Sequence, residues 1–317
     1  MEEIINLFLT KQYRLDMGKG SLSRDFTKIL KRQITEEEIK EAKKTAKGII
    51  KYGKEYYEQK DKLPKILIFD IETSPSISYT FGRFKYNIAY DQVEQEPMML
   101  TWSAKWLYST EVMSDKLTPE EVLNVTDYRI VKSLWNLMEK ADIVVAHYGD
   151  GFDVPMMNTR AILNGLPPYS HTKSIDTKKI ASGTFKFPSN KLDALAKYFG
   201  IPGKIDTEFQ LWIDCIKGKE DALEEMRVYN VQDVEVLEEI YLILRPYIKS
   251  HPNIGVYMNS DVRGCSACGS THIHETDKYQ YTNTGKYKLW RCECGAMSRG
   301  RRTDFDKTKT LLTSVPR

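Results

Sequence analysis

The run Ile66-Leu67-Ile68-Phe69, followed at once by Asp70-Ile71-Glu72, constrains the fold of this chain more than any other stretch. A short, nearly continuous apolar segment over residues 65–71, opening just after Pro64, fits a buried strand. Side chains alternate along a strand, so Asp70 and Glu72 project to the same face. Two anions side by side at a buried sheet repel each other unless a cation or a basic partner neutralises them. Neither neighbour of the pair is basic. A chain with this strand has to build a sheet around it and place positive charge beside it.

The remaining pattern supplies the sheet. Met99 to Tyr108 reads as a second strand, Glu111 to Ser114 as a third, and the β-branched Ile143 to Ala146 as a central one. Helical periodicity runs through Ile130 to Met138. A helix is expected around Pro155, carrying Met156, Met157, Ile162 and Leu163. Ser189 to Phe199 is amphipathic and stops at Gly200, and Glu220 to Leu244 is a long helix closed by Pro246. Strands first and helices interleaved later indicate a mixed α/β sheet with flanking helices over residues 63–250.

The ends differ from the centre in charge. Residues 1–62 carry +4, residues 63–260 carry −6 and residues 261–317 carry +5, within an overall +3. An acidic centre between basic ends suits a metal-binding core whose flanks attract phosphate. Residues 1–62 read as a helical extension. Thr35 and Glu38 make a capping box ahead of an apolar face of Ile39, Ala42, Ala46, Ile49 and Ile50. Lys40, Lys44, Lys47, Lys51 and Lys54 line another face, and Met17-Gly18-Lys19-Gly20 separates this helix from one over Ile4 to Leu15. Short helices around such a turn resemble helix-turn-helix modules. Solvated lysines on a helix packed against the core are the simpler reading. No run approaches the roughly eighteen apolar residues of a membrane span. The N-terminus lacks the order of a signal peptide, so a cytoplasmic protein is expected.

Two further segments carry candidate chemistry. His147-Tyr148-Gly149-Asp150-Gly151-Phe152-Asp153 lies between a strand and a helix, where sites often form. Asp150 reads as a capping residue, His147 as structural, and Asp153 as a candidate ligand. In Tyr229-Asn230-Val231-Gln232-Asp233 the tyrosine and aspartate stand four apart on a helix and share a face.

Asp70-x-Glu72, Phe152-Asp153 and Tyr229-x3-Asp233, in that order, resemble the three motifs of the DEDDy subgroup of DnaQ-like 3′→5′ exonucleases, which includes proofreading domains of family B DNA polymerases. Asp176-Thr177-Lys178-Lys179 and Lys191 to Ala196 add to a likeness spanning residues 65–246. The second motif departs from the pattern, with Tyr148 where an asparagine is usual. The resemblance implies a ribonuclease H-like fold and two Mg²⁺ or Mn²⁺ ions held by Asp70, Glu72, Asp153 and Asp233. Asp70 would bridge both ions, Glu72 and Asp233 would bind the ion nearer the nucleophile, and Asp153 would act on the second. Tyr229 would orient the attacking water, because a tyrosine pKa near ~10 makes it a poor base at neutral pH.

Near the C-terminus, Cys265-x-x-Cys268 and Cys292-x-Cys294 frame the hairpin signal Asn283-Thr284-Gly285. Two cysteine knuckles joined by a hairpin resemble a zinc ribbon, here over residues 260–302, in which Zn²⁺ holds a unit too small for its own core. The second knuckle has one intervening residue instead of two; His272 and His274 read as loop residues. Basic and aromatic residues surround the knuckles, a mixture suited to phosphate contact and base stacking. Residues 303–317 read as a tail, and Cys215 stands alone.

The expected activity is a two-metal 3′→5′ exonuclease acting on nucleic acid, DNA favoured over RNA and single-stranded 3′ ends favoured over duplex. Two alternatives are a nucleic-acid-binding adaptor with a vestigial nuclease core and a structure-selective endonuclease on the same fold. No polymerase-sized region follows the core, so a separate polymerase, or another replication or repair protein, is the expected protein partner.

Overall fold

The computed structural model describes residues 1–10, 13–82, 87–170, 172–202, 207–259 and 261–306, apart from the side chains of Glu55 and Gln59. Most of the expected tail, residues 307–317, lies outside the described residues. The chain divides into two units, Met1–Lys62 with Leu107–Glu111, and Leu63–Trp106 with Val112–Arg317.

The first unit contains α1 (Glu2–Leu9), α2 (Lys19–Leu30), α3 (Glu36–Tyr52) and α4 (Lys54–Gln59). Ile4, Phe8, Leu22, Phe26, Ile39, Ala42 and Ala46 form its core, with Phe8 and Phe26 meeting edge-on at 5.5 Å between ring centroids. The expected capping box starts α3: Glu38 N–H donates to the Thr35 hydroxyl and Thr35 N–H to the Glu38 carboxylate. Two boundaries differ from the sequence reading. The first helix stops at Leu9 rather than near Leu15, and Lys19–Leu30 forms a helix of its own with Gly20 inside it. Full burial of Leu22 and Phe26 outweighs the roughly 1 kcal/mol that an interior glycine costs a helix. Of the lysine stripe, Lys40, Lys47, Lys51 and Lys54 are exposed, whereas Lys44 pairs with Glu111 at 2.9 Å. The Tyr52 hydroxyl donates to the Ser109 carbonyl at 2.9 Å, joining the 107–111 segment to this unit.

The second unit is built on β1 (Ile66–Thr73), β4 (Met99–Trp106), β5 (Met113–Lys116), β6 (Ile143–Ala146) and β7 (Lys173–Asp176), with β2 (Ile77–Ser78) and β3 (Val93–Gln95) as a separate pair. The five strands lie in the order β5-β4-β1-β6-β7. They pair antiparallel from β5 to β1 and parallel from β1 to β7. Around them lie α5 (Pro119–Leu123), α6 (Tyr128–Met138), α7 (Asp153–Leu163), α8 (Thr177–Thr184), α9 (Leu192–Phe199), α10 (Phe209–Ile216) and α11 (Glu220–Leu244). This is the mixed α/β architecture expected from the sequence. The third strand begins two residues later than read, and the α9 helix does end at Gly200, whose φ of +67° provides a left-handed cap. Among the described residues, no helix is long and apolar enough to cross a membrane.

The two faces of β1 have different tasks. Leu67, Phe69 and Ile71 pack with Ile130, Val131 and Leu134 of α6 and with Met157 of α7. The alternate residues face α11, which crosses the β1, β4 and β5 strands. There Lys105 of β4 meets Glu238 of α11 at 2.7 Å, with both side chains almost fully buried. A buried pair contributes little net stability, yet removing one partner strands a charge in low dielectric. Glu238→Ala is therefore expected to destabilise the unit by about 3–5 kcal/mol, and Lys105→Met combined with Glu238→Leu far less. Urea unfolding of both variants checks this; equal losses would contradict it.

After α11 come α12 (Ile254–Tyr257) and a three-stranded sheet of β8 (Ile273–Thr282), β9 (Gly285–Cys292) and β10 (Met297–Arg299), ordered β10-β9-β8. Thr282 pairs with Gly285, so Asn283 and Thr284 alone form the turn. His274, read as a loop residue, lies in β8, whereas His272 precedes it and meets Glu293 at 3.3 Å. Thr303 and Asp304 bond the backbone of Lys286, so the chain stays against β9 as far as Asp304.

Candidate functional site

The acidic site forms at the end of β1. Asp70 is paired with Ser103 and Glu72 with Thr101 across β4, and a register shift follows Glu72, which ends the regular ladder. Their two carboxylates and that of Asp233 on α11 bring ligand oxygens within 4.8 Å of one another, with all three side chains half-buried. Asp153 opens α7 and is 2% exposed; its Oδ1 accepts the backbone N–H of Ile71 at 3.3 Å, which ties it to the strand between Asp70 and Glu72. Tyr229 lies one turn before Asp233, so the two side chains share a face of α11.

Asn230 belongs to the same cluster and was missed in the sequence reading. Its Nδ2 donates to Asp70 Oδ2 at 2.6 Å across 160 residues, and its side chain is fully buried. A poor helix former held inside a long helix, beside the tyrosine already singled out, was the available signal.

The carboxylates crowd each other. Asp70 is held well above the usual range by burial first and then by the charges of Asp153, Glu72 and Asp233, with the Asn230 amide opposing. Glu72 is pushed up to about 8 by burial and by Asp233 and Asp153. Asp153 rises to about 7 because it is buried, although the Ile71 N–H counteracts. Burial and the anion of Asp233 also raise the Tyr229 phenol above its ordinary value, so it keeps its proton at neutral pH.

Clustered half-buried carboxylates with raised pKa values are what a hard divalent cation relieves, and an all-oxygen donor set suits Mg²⁺ or Mn²⁺. Unfolded Asp and Glu ionise near 3.8 and 4.5, so between those values and about 8 the folded, metal-free site binds more protons than the unfolded chain. The stability contributed by these protonated carboxyls is present at acid pH and is lost as pH rises through 7 to 8. Mg²⁺ competes with the same protons. Its stabilising effect is therefore expected to be larger at about pH 8.5 than at about pH 5.5, which thermal melts with and without Mg²⁺ at the two pH values check. Equal effects would contradict it.

The segment between β6 and α7 shapes one side. Tyr148 has φ of +72°, a left-handed conformation unusual for its type, and is 48% exposed. A Cβ on Gly151 would lie 2.5 Å from the Tyr148 ring, so glycine is required for the ring to lie there. The Lys178 ammonium sits 4.0 Å from that ring's centroid. Asp176, the last residue of β7, accepts N–H groups of Tyr148, Asp150 and Lys179 and so fixes both loops. Asp150 does not cap α7; it accepts the Ser174 hydroxyl at 2.7 Å. His147 bonds Thr177 Oγ1 and the Asn190 carbonyl, each at 2.9 Å, which is the structural part read from the sequence.

The second cluster is Cys265, Cys268, Cys292 and Cys294, whose sulfurs lie within 4.8 Å of one another. Each knuckle turns back on itself: Gly269 N–H donates to the Cys265 carbonyl, and Gly295 N–H to that of Cys292, at 2.9 Å each. Cys265 and Cys294 sulfurs are 3.8 Å apart and those of Cys268 and Cys292 3.6 Å. Tetrahedral zinc with Zn–S of about 2.3 Å requires sulfur–sulfur edges of about 3.8 Å. The cluster therefore fits a small zinc site, and the short second knuckle closes it. Cys215 is buried elsewhere, its thiol pushed up to about 12 by burial.

A family model, the RNase_H superfamily, matches residues 67–245, which takes in the sheet, α11 and all four carboxylates. The chain belongs to the RNase_H superfamily. Membership in the RNase_H superfamily supports nuclease as the class of activity. No curated protein matches the chain. Among solved structures it is similar to the family B DNA polymerase from the hyperthermophilic archaeon Pyrobaculum calidifontis, with 16% identity and a TM-score of 0.43. That match covers 62% of this chain and 27% of the polymerase, so the likeness extends over only part of the polymerase's length.

Proposed function

We propose that this protein is a metal-dependent 3′→5′ exonuclease of the DEDD type, acting on single-stranded 3′ ends of nucleic acid, DNA in the first instance. The observation that carries the reading is the convergence of Asp70, Glu72 and Asp233 within 4.8 Å, with Asp153 bonded to the strand between the first two. These carboxylates would hold two Mg²⁺ or Mn²⁺ ions, which when bound neutralise phosphate charge and activate water. Asp70 is the residue that Asn230 holds in place. Tyr229, kept protonated by burial and by the charge of Asp233, orients the attacking water and leaves its proton to other acceptors. The cysteine cluster would hold one structural Zn²⁺ as a zinc ribbon. A polymerase or another replication or repair protein is the proposed protein partner.

An exonuclease needs an end, which separates this reading from an endonuclease on the same fold. Linear single strands are expected to be degraded to mononucleotides in Mg²⁺ or Mn²⁺ while internally labelled circles of the same sequence persist. Cleavage of the circles at a comparable rate would favour the endonuclease. Binding without turnover in Mn²⁺ would favour a vestigial core.

A further inference from the structure

The β8–β10 sheet carries more than a metal site. Residues paired across antiparallel strands share a face, and the pairings Tyr281 with Lys286, Tyr279 with Lys288 and Ser298 with Trp290 place three aromatic rings and two lysines together. Same-face residues of β9 recur about every 6.8 Å, so Lys286, Lys288 and Trp290 follow one another along it. Lys286 Nζ lies 3.9 Å and Lys288 Nζ 4.9 Å from the Tyr279 centroid, and the Tyr279 and Tyr281 rings are 6.5 Å apart. At the other end the Arg263 guanidinium stands 4.5 Å over Trp290.

Beside Trp290 the face opens into a cleft of about 680 Å³, lined further by the exposed Arg301 and Arg302. Acidic groups are present: Glu275 pairs with Lys288 at 2.6 Å, and Asp261 and Asp304 line the cleft. Among the described residues, no carboxylate ion-pairs with Lys286, Arg301 or Arg302. Tyr281 is 70% exposed, an unusual position for a ring that only packs a fold. The exposed Tyr281 ring next to the unneutralised Lys286 matches the two halves of a nucleotide, and a ring face is reachable only by an unpaired base.

We infer that this face and its cleft form a binding platform for single-stranded nucleic acid, separate from the acidic centre, with a base stacked on Tyr281 and phosphates on Lys286, Arg301 and Arg302. The platform rests on the reading that nucleic acid is the substrate, and it gives the enzyme a hold on the strand that needs no catalytic metal.

The test is fluorescence anisotropy with a labelled short oligothymidylate and the full-length, zinc-loaded protein, without added Mg²⁺ or Mn²⁺. Tyr281→Ala is expected to weaken binding by about five- to a hundredfold, with recovery in Tyr281→Phe. Arg301→Ala with Arg302→Ala should flatten the dependence of log affinity on log salt by about 0.7 for each phosphate that is no longer neutralised. Zinc content equal to that of the unmodified protein verifies that the sheet is intact. Unchanged affinity and salt slope in both variants would overturn the platform, as would full displacement of the strand by millimolar inorganic phosphate, the sign of a simple anion site. If these effects appear but the unmodified protein hydrolyses nothing with Mg²⁺, the exonuclease reading fails and the platform stands. If it hydrolyses strands yet binding ignores both variants, only the platform fails.

Discussion

Asp70→Ala is expected to lower hydrolysis of single-stranded nucleic acid by at least about a thousandfold, equivalent to about 4 kcal/mol in the barrier. Asp70 is the carboxylate on which the others converge: its pKa is raised by Asp153, Glu72 and Asp233 alike, and Asn230 holds it by a 2.6 Å bond. Losing it removes the shared ligand of both proposed cations. The fold has no comparable need of its charge, because in the metal-free state burial and the neighbouring anions disfavour that charge. The metal-free variant should therefore melt at or above the temperature of the unmodified protein while losing the Mg²⁺-induced rise. Calorimetry beside a nuclease assay reads both. Undiminished hydrolysis would end the proposal, and a collapse in melting temperature would show that Asp70 acts on folding instead.

Removing zinc, by chelation or by Cys268→Ser, is expected to unfold the β8–β10 sheet outright. Most of β8 is exposed, and the sheet has little apolar core, so the knuckles rather than hydrophobic burial hold it. Structural zinc contributes roughly 10–16 kcal/mol in isolated fingers, more than such a unit can replace. Limited proteolysis should then cut within residues 261–302 and leave the central sheet intact. Metal analysis should find one zinc per chain beforehand. Unchanged protease resistance after complete zinc loss would contradict this.

The parts of the fold that were legible from sequence are those with a strong, unbroken signal. Ile66–Phe69 and Ile143–Ala146 are buried on both faces and lie in the apolar runs read over residues 65–71 and 143–146, and α11 spans the length its pattern indicated. The β7 strand gave no such signal because Lys173 and Ser174 are exposed and only Ile175 and Asp176 are buried. Gly18 and Gly20 suggested a turn where α2 begins, since the burial of Leu22 and Phe26 that decides the matter is a tertiary effect. At the site, strand alternation placed Asp70 and Glu72 on one face, and helical spacing placed Tyr229 beside Asp233. Neither rule reaches across 160 residues, so the Asn230–Asp70 bond stayed invisible. Nor does any local pattern announce that Tyr148 takes a left-handed conformation; Gly151 permits it only once the ring's position is known.

The most direct measurement is digestion of one single strand labelled in turn at its 3′ and 5′ ends, with and without Mg²⁺ or Mn²⁺. A 3′→5′ exonuclease releases the 3′ label at once as a mononucleotide and shortens the 5′-labelled strand one nucleotide at a time, only when the metal is present. Immediate release of the 5′ label, internal cuts, or cleavage without a divalent cation would contradict it.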